Sequence, residues 1–187
     1  MSIAKSFSVK QILGWRRIQL TKGGRPSDLD WLLDLGGGLQ WADLQKMKIN
    51  PDTNHSLDLS LQELSIIWMK HLRDHVPLQY LIGKCPWREF ELEVSSSVLI
   101  PRQETELLVE IALKKTNPSL KEFGRWVDLG TGSGALAVAL AKCFPSWLGH
   151  AVDCSQDALY LAEKNIKNLV NNSTKVSLHL GNWWEPL

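Results

Sequence analysis

Hydrophobic residues in the first 75 positions recur at the spacing of amphipathic helices. Leu29, Leu32 and Leu33 form one apolar stripe, which begins after Pro26 and ends before a run of glycines. A serine at position 60 followed by a glutamate at position 63 is a capping-box pattern, which predicts the start of another helix. Four or five such helices, joined by glycine and proline turns, predict a small helical bundle over residues 1–75.

The pattern shortens to strand length between residues 76 and 101. Apolar runs of that length lie at residues 79–82, 90–94 and 98–100. In the middle run Phe90, Leu92 and Val94 alternate with glutamates, as in a half-buried strand. We therefore expect a β-hairpin linker in this stretch.

Residues 102–187 alternate between helical and strand patterns. Strands are predicted at 126–129, 148–152 and 176–180, and helices at 104–115, 135–143 and 158–170. Strands and helices that alternate at this length predict right-handed crossovers and a parallel sheet.

Composition and charge exclude several classes. The net charge of +1 gives no broad electrostatic footprint for nucleic acid or for an anionic membrane. No run of about 18 apolar residues and no signal-peptide pattern occurs, so the cytoplasm is the expected compartment. The three cysteines have no C-x-x-C spacing, and we expect reduced, partly buried thiols.

A metal site is not expected. His71 and His75 are four positions apart on one predicted helix, as zinc ligands can be. The sequence has no glutamate in the place that an H-E-x-x-H motif requires, and no third ligand is evident. We interpret both histidines as cations near a helix C-terminus.

The candidate chemistry begins in a glycine-rich segment between a predicted strand and a predicted helix. It comprises Asp128, Leu129, Gly130, Thr131, Gly132, Ser133 and Gly134. Glycines allow sharp turns and close approach of a ligand, and parallel sheets bind ligands where their strands end. A glycine turn without a ligand gives the same pattern, so this segment alone decides little.

Two further segments follow the next predicted strands. Asp153 ends the second strand, where a doubly wound sheet places an acid for ribose hydroxyls. It can also serve as a helix N-cap, but Ser155 can fill that role. After the third strand Asn182 can pair with an adenine edge and Trp183 can cover the adenine face. The alternative for this loop is a pair of tryptophans packed on a helix at the rim.

The residues admit either a dinucleotide or S-adenosylmethionine. A dinucleotide fingerprint places its third glycine one position later, where this chain has Ala135. Asp128 favours S-adenosylmethionine, because a carboxylate repels a pyrophosphate but attracts the ammonium group of a methionine moiety. It can also order the amides of the glycine segment.

These segments resemble the first three motifs of class I methyltransferases. Residues 100–106, Ile-Pro-Arg-Gln-Glu-Thr-Glu, and residues 77–83, Pro-Leu-Gln-Tyr-Leu-Ile-Gly, resemble the protein-glutamine methyltransferases that act on peptide-chain release factors. The resemblance implies a Rossmann-like α/β methyltransferase domain, preceded by the helical bundle and the hairpin. It also implies S-adenosylmethionine as cofactor, a release factor as partner, and neither metal, membrane nor direct nucleic-acid binding.

Roles for individual residues come from the same resemblance. Gly130, Thr131, Gly132, Ser133 and Gly134 would hold the methionine end of the cofactor. Asp153 would bind the ribose, and Asn182 and Trp183 would contact the adenine. Pro101, Arg102, Glu104 and Thr105 would border the mouth of the site. The helical bundle would recognise the release factor.

The sequence departs from that family at three points. Gln103 stands where the family usually has proline, and we expect a looser turn there. Asn182 stands where it often has aspartate, and we expect lower cofactor affinity. The catalytic Asn-Pro-Pro-Tyr motif does not occur in the sequence. We therefore expect a C-terminally truncated first half of the domain, with the strand at 126–129 at a sheet edge, unstable alone and inactive.

Other activities remain open on sequence grounds. A cofactor-binding or release-factor-binding remnant would bind ligand without turnover. A DNA adenine methyltransferase would share the terminal motif, but the low net charge and residues 101–106 speak against it. A nicotinamide dehydrogenase is the alternative from another enzyme class.

Overall fold

The structure, a computed structural model, describes residues 5–47, 53–116, 123–171 and 175–187. The chain divides into two compact units, Met1–Ile82 and Gly83–Leu187.

The first unit is mainly helical. Its helices are α1 (Val9–Thr21), α2 (Pro26–Leu35), α3 (Trp41–Met47), α4 (Leu61–Asp74) and α5 (Leu78–Ile82). The short strands β1 (Lys5–Ser8) and β2 (Asn54–Leu57) pair in antiparallel orientation. Ile12, Leu32, Leu64 and Trp68 are fully buried in one core shared by α1, α2 and α4. The predicted apolar stripes therefore face one another.

Capping boxes begin two of these helices. At α4 the Ser60 hydroxyl accepts from the backbone N–H of Glu63, and the Glu63 carboxylate accepts from the backbone N–H of Ser60. This confirms the start predicted from the spacing of the two residues. The same arrangement joins Ser8 and Gln11 at α1, where the Ser-x-x-Gln spacing is also a capping-box pattern.

Two strand predictions in the hairpin stretch are wrong. Residues 79–82 belong to α5, where the backbone N–H groups of Tyr80 and Leu81 both donate to the Pro77 carbonyl. Leu78, Leu81 and the following isoleucine face the helical core at i, i+3 and i+4 spacing, so burial favoured a helical turn. Residues 98–100 lie in no strand.

The second unit begins with a hairpin and continues as an α/β layer. Its elements are β3 (Lys84–Trp87), β4 (Phe90–Glu93), a 3-10 turn (Gln103–Thr105), α6 (Glu106–Thr116), β5 (Arg125–Leu129), α7 (Ala135–Cys143), β6 (Leu148–Asp153), α8 (Gln156–Leu169) and β7 (Lys175–Leu180). β5, β6 and β7 form a parallel sheet in that spatial order. The prediction that the first strand is a sheet edge is confirmed for the described residues.

The two faces of this sheet differ in their cover. One face presents Trp126, Ala151 and Leu178, which pack against α7 through Ala137 and Ala141. Gly149 lies under Trp126 on this face, and a Cβ there would be 2.1 Å from the indole ring. The opposite face presents Val127, Leu148, His150 and His179, which are half-buried or exposed, and Val152, which is buried.

The cysteine prediction needs one correction. Cys85 is buried and Cys143 is half-buried. Cys154 is exposed, because it follows β6 at the carboxyl end of the parallel strands. All three thiols are free.

Candidate cofactor site at the sheet edge

The candidate site lies where the three parallel strands end. The glycine segment follows β5, Asp153 is the last residue of β6, and Asn182 and Trp183 follow β7. Because parallel strands end at the same edge, three segments that are distant in sequence meet there.

The backbone of the glycine segment is held by hydrogen bonds within the protein. The N–H groups of Gly130 and Thr131 both donate to the Val152 carbonyl at 2.9 Å. The N–H of Gly132 donates to the Asp153 carboxylate at 2.9 Å, and that of Gly134 to the Thr131 carbonyl at 2.8 Å. Four N–H groups of residues 130–134 therefore already have acceptors.

Glycine is required in this segment for two different reasons. Gly130 and Gly132 have φ values of +77° and +55°, and an added Cβ would meet no atom within 4 Å. Gly134 has φ +79°, and its Cβ would lie 3.1 Å from Ala162 of α8. The first two glycines therefore leave open space for a ligand, whereas the third allows the loop to pack on a helix.

Asp128 is buried beneath the loop. The Thr131 hydroxyl donates to its carboxylate at 2.7 Å. Burial raises the pKa of Asp128 above its ordinary value, and bonds from Thr131 and from the backbone of Ala137 oppose that rise. A buried carboxyl with a raised pKa is stabilised in its charged form by a nearby cation.

Asp153 connects the loop to the next helix. Its two carboxylate oxygens accept from the N–H groups of Gly132, at 2.9 Å, and Ser155, at 3.0 Å. Ser155 caps α8 by accepting from the N–H of Ala158. The capping role is therefore filled by Ser155, and the Asp153 carboxylate keeps further lone pairs for a ligand hydroxyl.

A cavity of about 160 Å³ opens between these segments. It is lined by Gly130, Val152, Asp153, Cys154, Gly181, Asn182 and Trp183. Small-molecule sites usually occupy about 300–1,000 Å³. The cavity therefore matches a part of a nucleoside-sized ligand.

Trp183 stands at the rim of this cavity in an unusual conformation. Its φ is +49°, in the left-handed region, and 71% of its surface is exposed. Trp184 beside it is 65% exposed, so neither ring is packed on a helix. A bulky residue held in this region costs about 1–3 kcal/mol, and such strain clusters at ligand sites. The Asn182 amide donates to Glu185 at 3.3 Å.

Seven of the nine predicted cofactor residues fall into two groups, and the other two, Gly132 and Gly134, also lie outside the cavity lining. Gly130, Asp153, Asn182 and Trp183 line the cavity. Asp128, Thr131 and Ser133 are buried and do not line it. The second group therefore lies in the interior of the protein and not at the cavity.

The residues predicted to border the site lie in and before the 3-10 turn and outside the cavity lining. They are Pro101, Arg102, Glu104 and Thr105. The buried Trp87 of β3 donates from its indole N–H to the Arg102 carbonyl at 2.9 Å. Arg88 next to it donates from its backbone to Glu106 and from its guanidinium to Glu110. The hairpin thus anchors this segment to α6, a connection that the sequence did not reveal.

One residue near the site was missed altogether. Asn165 of α8 is 1% exposed and donates to the Ser133 carbonyl at 2.8 Å. It stands on the helix face of Ala158, Leu161 and Ala162, which are buried. A polar residue inside an apolar stripe was the signal that could have identified it.

Metal-binding clusters and membrane-spanning helices are both absent from the described ranges. Residues 5–47, 53–116, 123–171 and 175–187 contain no group of three or more histidine, cysteine, aspartate or glutamate side chains that could hold a metal ion. In the same ranges no helix is long and apolar enough to cross a membrane.

The fold and the site together define the class of protein to which this part of the chain corresponds. The profile of the methyltransferase small domain matches residues 103–185, which cover β5 to β7 and the three loops at their ends. This part of the chain has the Rossmann-like α/β fold of class I methyltransferases, as its motifs predicted.

Individual relatives narrow the class. The chain is 64% identical over 187 residues to the release factor glutamine methyltransferase of Prochlorococcus marinus, covering 100% of this chain and 64% of the relative. It is 38% identical over 182 residues to the enzyme of that name from Synechocystis, covering 92% of this chain and 58% of the relative. It is 47% identical over 131 residues to the enzyme of that name from Thermosynechococcus vestitus, covering 70% of this chain and 44% of the relative. The chain is thus homologous to release factor glutamine methyltransferases, which confirms the resemblance, and it spans less than two thirds of the length of these relatives.

Proposed function

We propose that this chain binds S-adenosylmethionine at the ends of β5, β6 and β7, as part of a methyltransferase that modifies a glutamine side-chain amide of a peptide-chain release factor. The homology to proteins of that name supports the substrate and the reaction. The cavity between the glycine loop, Asp153 and Trp183 is the observation that carries the proposal. A release factor acts in translation, so the cytoplasm is the proposed compartment.

The adenosine half of the cofactor fits the lining of the cavity. The Asp153 carboxylate is available to the two ribose hydroxyls, and the exposed Trp183 ring to one face of the adenine. Asn182 offers an amide to the adenine edge. Gly130 and Gly132 leave space beside the loop for the methionine half.

The electrostatics of the loop favour S-adenosylmethionine over a dinucleotide. A pyrophosphate needs free N–H groups, but those of Gly130, Thr131, Gly132 and Gly134 already donate within the protein. The cofactor carries cations in its ammonium and sulfonium groups. The buried Asp128 beneath the loop supplies a matching negative charge, which a nearby cation would stabilise.

The bound cofactor would supply a methyl group on a sulfonium. Transfer to the nitrogen of the substrate amide would break the bond from carbon to sulfur, leave S-adenosylhomocysteine, and release one amide proton to solvent. The segment of Pro101, Arg102, Glu104 and Thr105 borders the mouth of the site in this proposal. Its anchorage by Trp87 gives it a defined position relative to α6. The helical unit is assigned to recognition of the release factor.

Calorimetric titration with S-adenosylhomocysteine tests cofactor binding directly. We expect Trp183→Ala to weaken binding by about 5- to 150-fold, because stacking of one base on an aromatic ring contributes about 1–3 kcal/mol. Trp184→Ala is the matched control, since that ring is similarly exposed but does not line the cavity. An equal loss in both variants would contradict the placement of the adenine.

The same titration with NAD⁺ separates the two cofactor classes. Binding of NAD⁺ in place of S-adenosylhomocysteine would overturn the proposal in favour of a dehydrogenase. Transfer of a labelled methyl group to a purified release factor tests the substrate. Labelling of a glutamine would also contradict the expectation that this chain is inactive alone.

A further inference from the structure

Asn165 is a buried amide that joins three backbone groups. Its side-chain oxygen accepts from the backbone N–H of Glu93 at 2.8 Å. Its NH2 group donates to the Glu93 carbonyl at 2.9 Å and to the Ser133 carbonyl at 2.8 Å. Both amide hydrogens and the oxygen therefore have partners in a site that is 1% exposed.

The bond to Ser133 acts on the glycine loop from below. Ser133 is itself buried and lies between Gly132, which opens to the ligand side, and Gly134, which packs on α8. Ala162, one helical turn before Asn165, is the residue that Gly134 contacts. One face of α8 therefore supports the loop at two successive points, by packing and by a hydrogen bond.

The bonds to Glu93 attach the end of β4 to the same side chain. Asn165 pairs with both the N–H and the carbonyl of Glu93, as a neighbouring strand would. The Glu93 carboxylate is held separately, by Lys164 at 2.5 Å and by Asn168 at 3.2 Å. The hairpin and the cofactor loop thus share one buried polar connection.

We propose that Asn165 is a positioning residue for the cofactor: it fixes the Ser133 carbonyl and thereby sets the orientation of the loop from Gly132 to Gly134. The inference rests on the proposed function, since it assigns the loop a ligand. These three hydrogen bonds require a carboxamide, because only such a side chain accepts one bond and donates two from a single planar group. A carboxylate of the same shape would face two carbonyl oxygens and repel both.

Asn165→Asp tests this requirement at constant size. We expect affinity for S-adenosylhomocysteine, measured by calorimetry on the folded protein, to fall by about tenfold or more at neutral pH, as for a loss of one to two hydrogen bonds in a buried site. Affinity should recover in part at acid pH, because the introduced carboxyl then carries a proton that it can donate. Asn165→Leu, which cannot titrate, should show no such recovery.

Asn168→Ala is the matched control on the same helix. Asn168 is exposed and donates to the Glu93 carboxylate, which lies outside the loop, so we expect unchanged ligand affinity. A merely structural role for Asn165 would lower the unfolding midpoint and leave the affinity of the folded fraction unchanged. That result would overturn the inference.

A measurement on the unmodified chain covers the case in which the variants do not fold. S-adenosylhomocysteine should slow hydrogen exchange at the Glu93 amide, which lies outside the cavity lining and is joined to the loop through Asn165. Unchanged exchange at Glu93 in the saturated protein would overturn the inference alone. Absence of ligand binding to the unmodified chain would overturn the proposed function and this inference with it.

Discussion

The helical unit and the sheet unit bury their hydrophobic residues to different degrees. Among the described residues, the buried hydrophobic residues of the helical unit form one cluster, whereas those of the sheet unit form three. Large exposed hydrophobic residues among the described positions number three before residue 83 and eleven after it. The helical unit is therefore closed around its own core, and the sheet unit presents apolar surface to solvent.

The period of the secondary structure explains the difference. Each helix of the first unit has one apolar stripe, and the stripes meet in the middle. A strand has two faces, and β5, β6 and β7 bury mainly the face that α7 covers; on the opposite face Val152 is the one described strand residue that is buried. We therefore expect substitutions on the covered face to be costly and those on the opposite face to be tolerated.

The largest expected effect comes from filling the covered face. Gly149→Ala places a methyl group 2.1 Å from the buried Trp126 ring, and overpacking of this kind costs about 1–3 kcal/mol or more. Leu148→Ala, on the opposite face of the same strand, removes a side chain that is 38% exposed and should cost less than about 1 kcal/mol. Urea denaturation of both variants measures the two values. Similar costs would show that the faces are equally packed.

A glycine of the helical unit should respond in the opposite direction. Gly14 lies inside α1 with open space around its Cα. Gly14→Ala should stabilise the helix by roughly 0.5–1 kcal/mol, because alanine loses less backbone entropy on folding. In Gly14→Ala we expect slower hydrogen exchange of the α1 amides and unchanged exchange in β5 to β7, which would sharpen the contrast between the helical unit and the sheet unit. Faster exchange in α1 would contradict it.

The smallest expected effect concerns the charge at the start of α4. The Lys5 ammonium, together with the hydroxyl and N–H of Ser60, lowers the pKa of Glu63 from 4.5 to about 2. Because the folded-state pKa is lowered, the ionised carboxylate stabilises the helical unit above pH 4.5, and this contribution is lost as the pH falls towards 2. Glu63→Gln keeps a capping acceptor but neither titrates nor pairs with Lys5.

Thermal melting at several pH values follows this contribution. The unmodified protein should melt at a slightly higher temperature than Glu63→Gln near neutral pH, and the difference should be small because Glu63 is exposed and its ion pair is screened. Only the unmodified unit should lose this part of its stability in acid. Parallel melting curves for the two proteins over the whole range would rule out a role for the ion pair.

Local patterns determined the elements and the candidate site. The Ser60–Glu63 spacing predicted the start of α4, and the alternation after residue 125 predicted β5, α7, β6, α8 and β7 to within one or two residues. The site followed from the same alternation, since parallel strands bring the ends of β5, β6 and β7 to one edge. These features depend on residues close in sequence, whose spacing is visible without a fold.

Tertiary structure decided everything that depends on distant partners. β1 pairs with β2 across about fifty residues, and α5 is helical because its apolar residues reach the helical core. Trp183 adopts a left-handed backbone at the cavity rim, and Asn165 joins Ser133 to Glu93. A sequence records which residues have polar groups, but which of them meet in a buried site is set by packing, because an amide inside an apolar stripe is stable only where the fold supplies its partners.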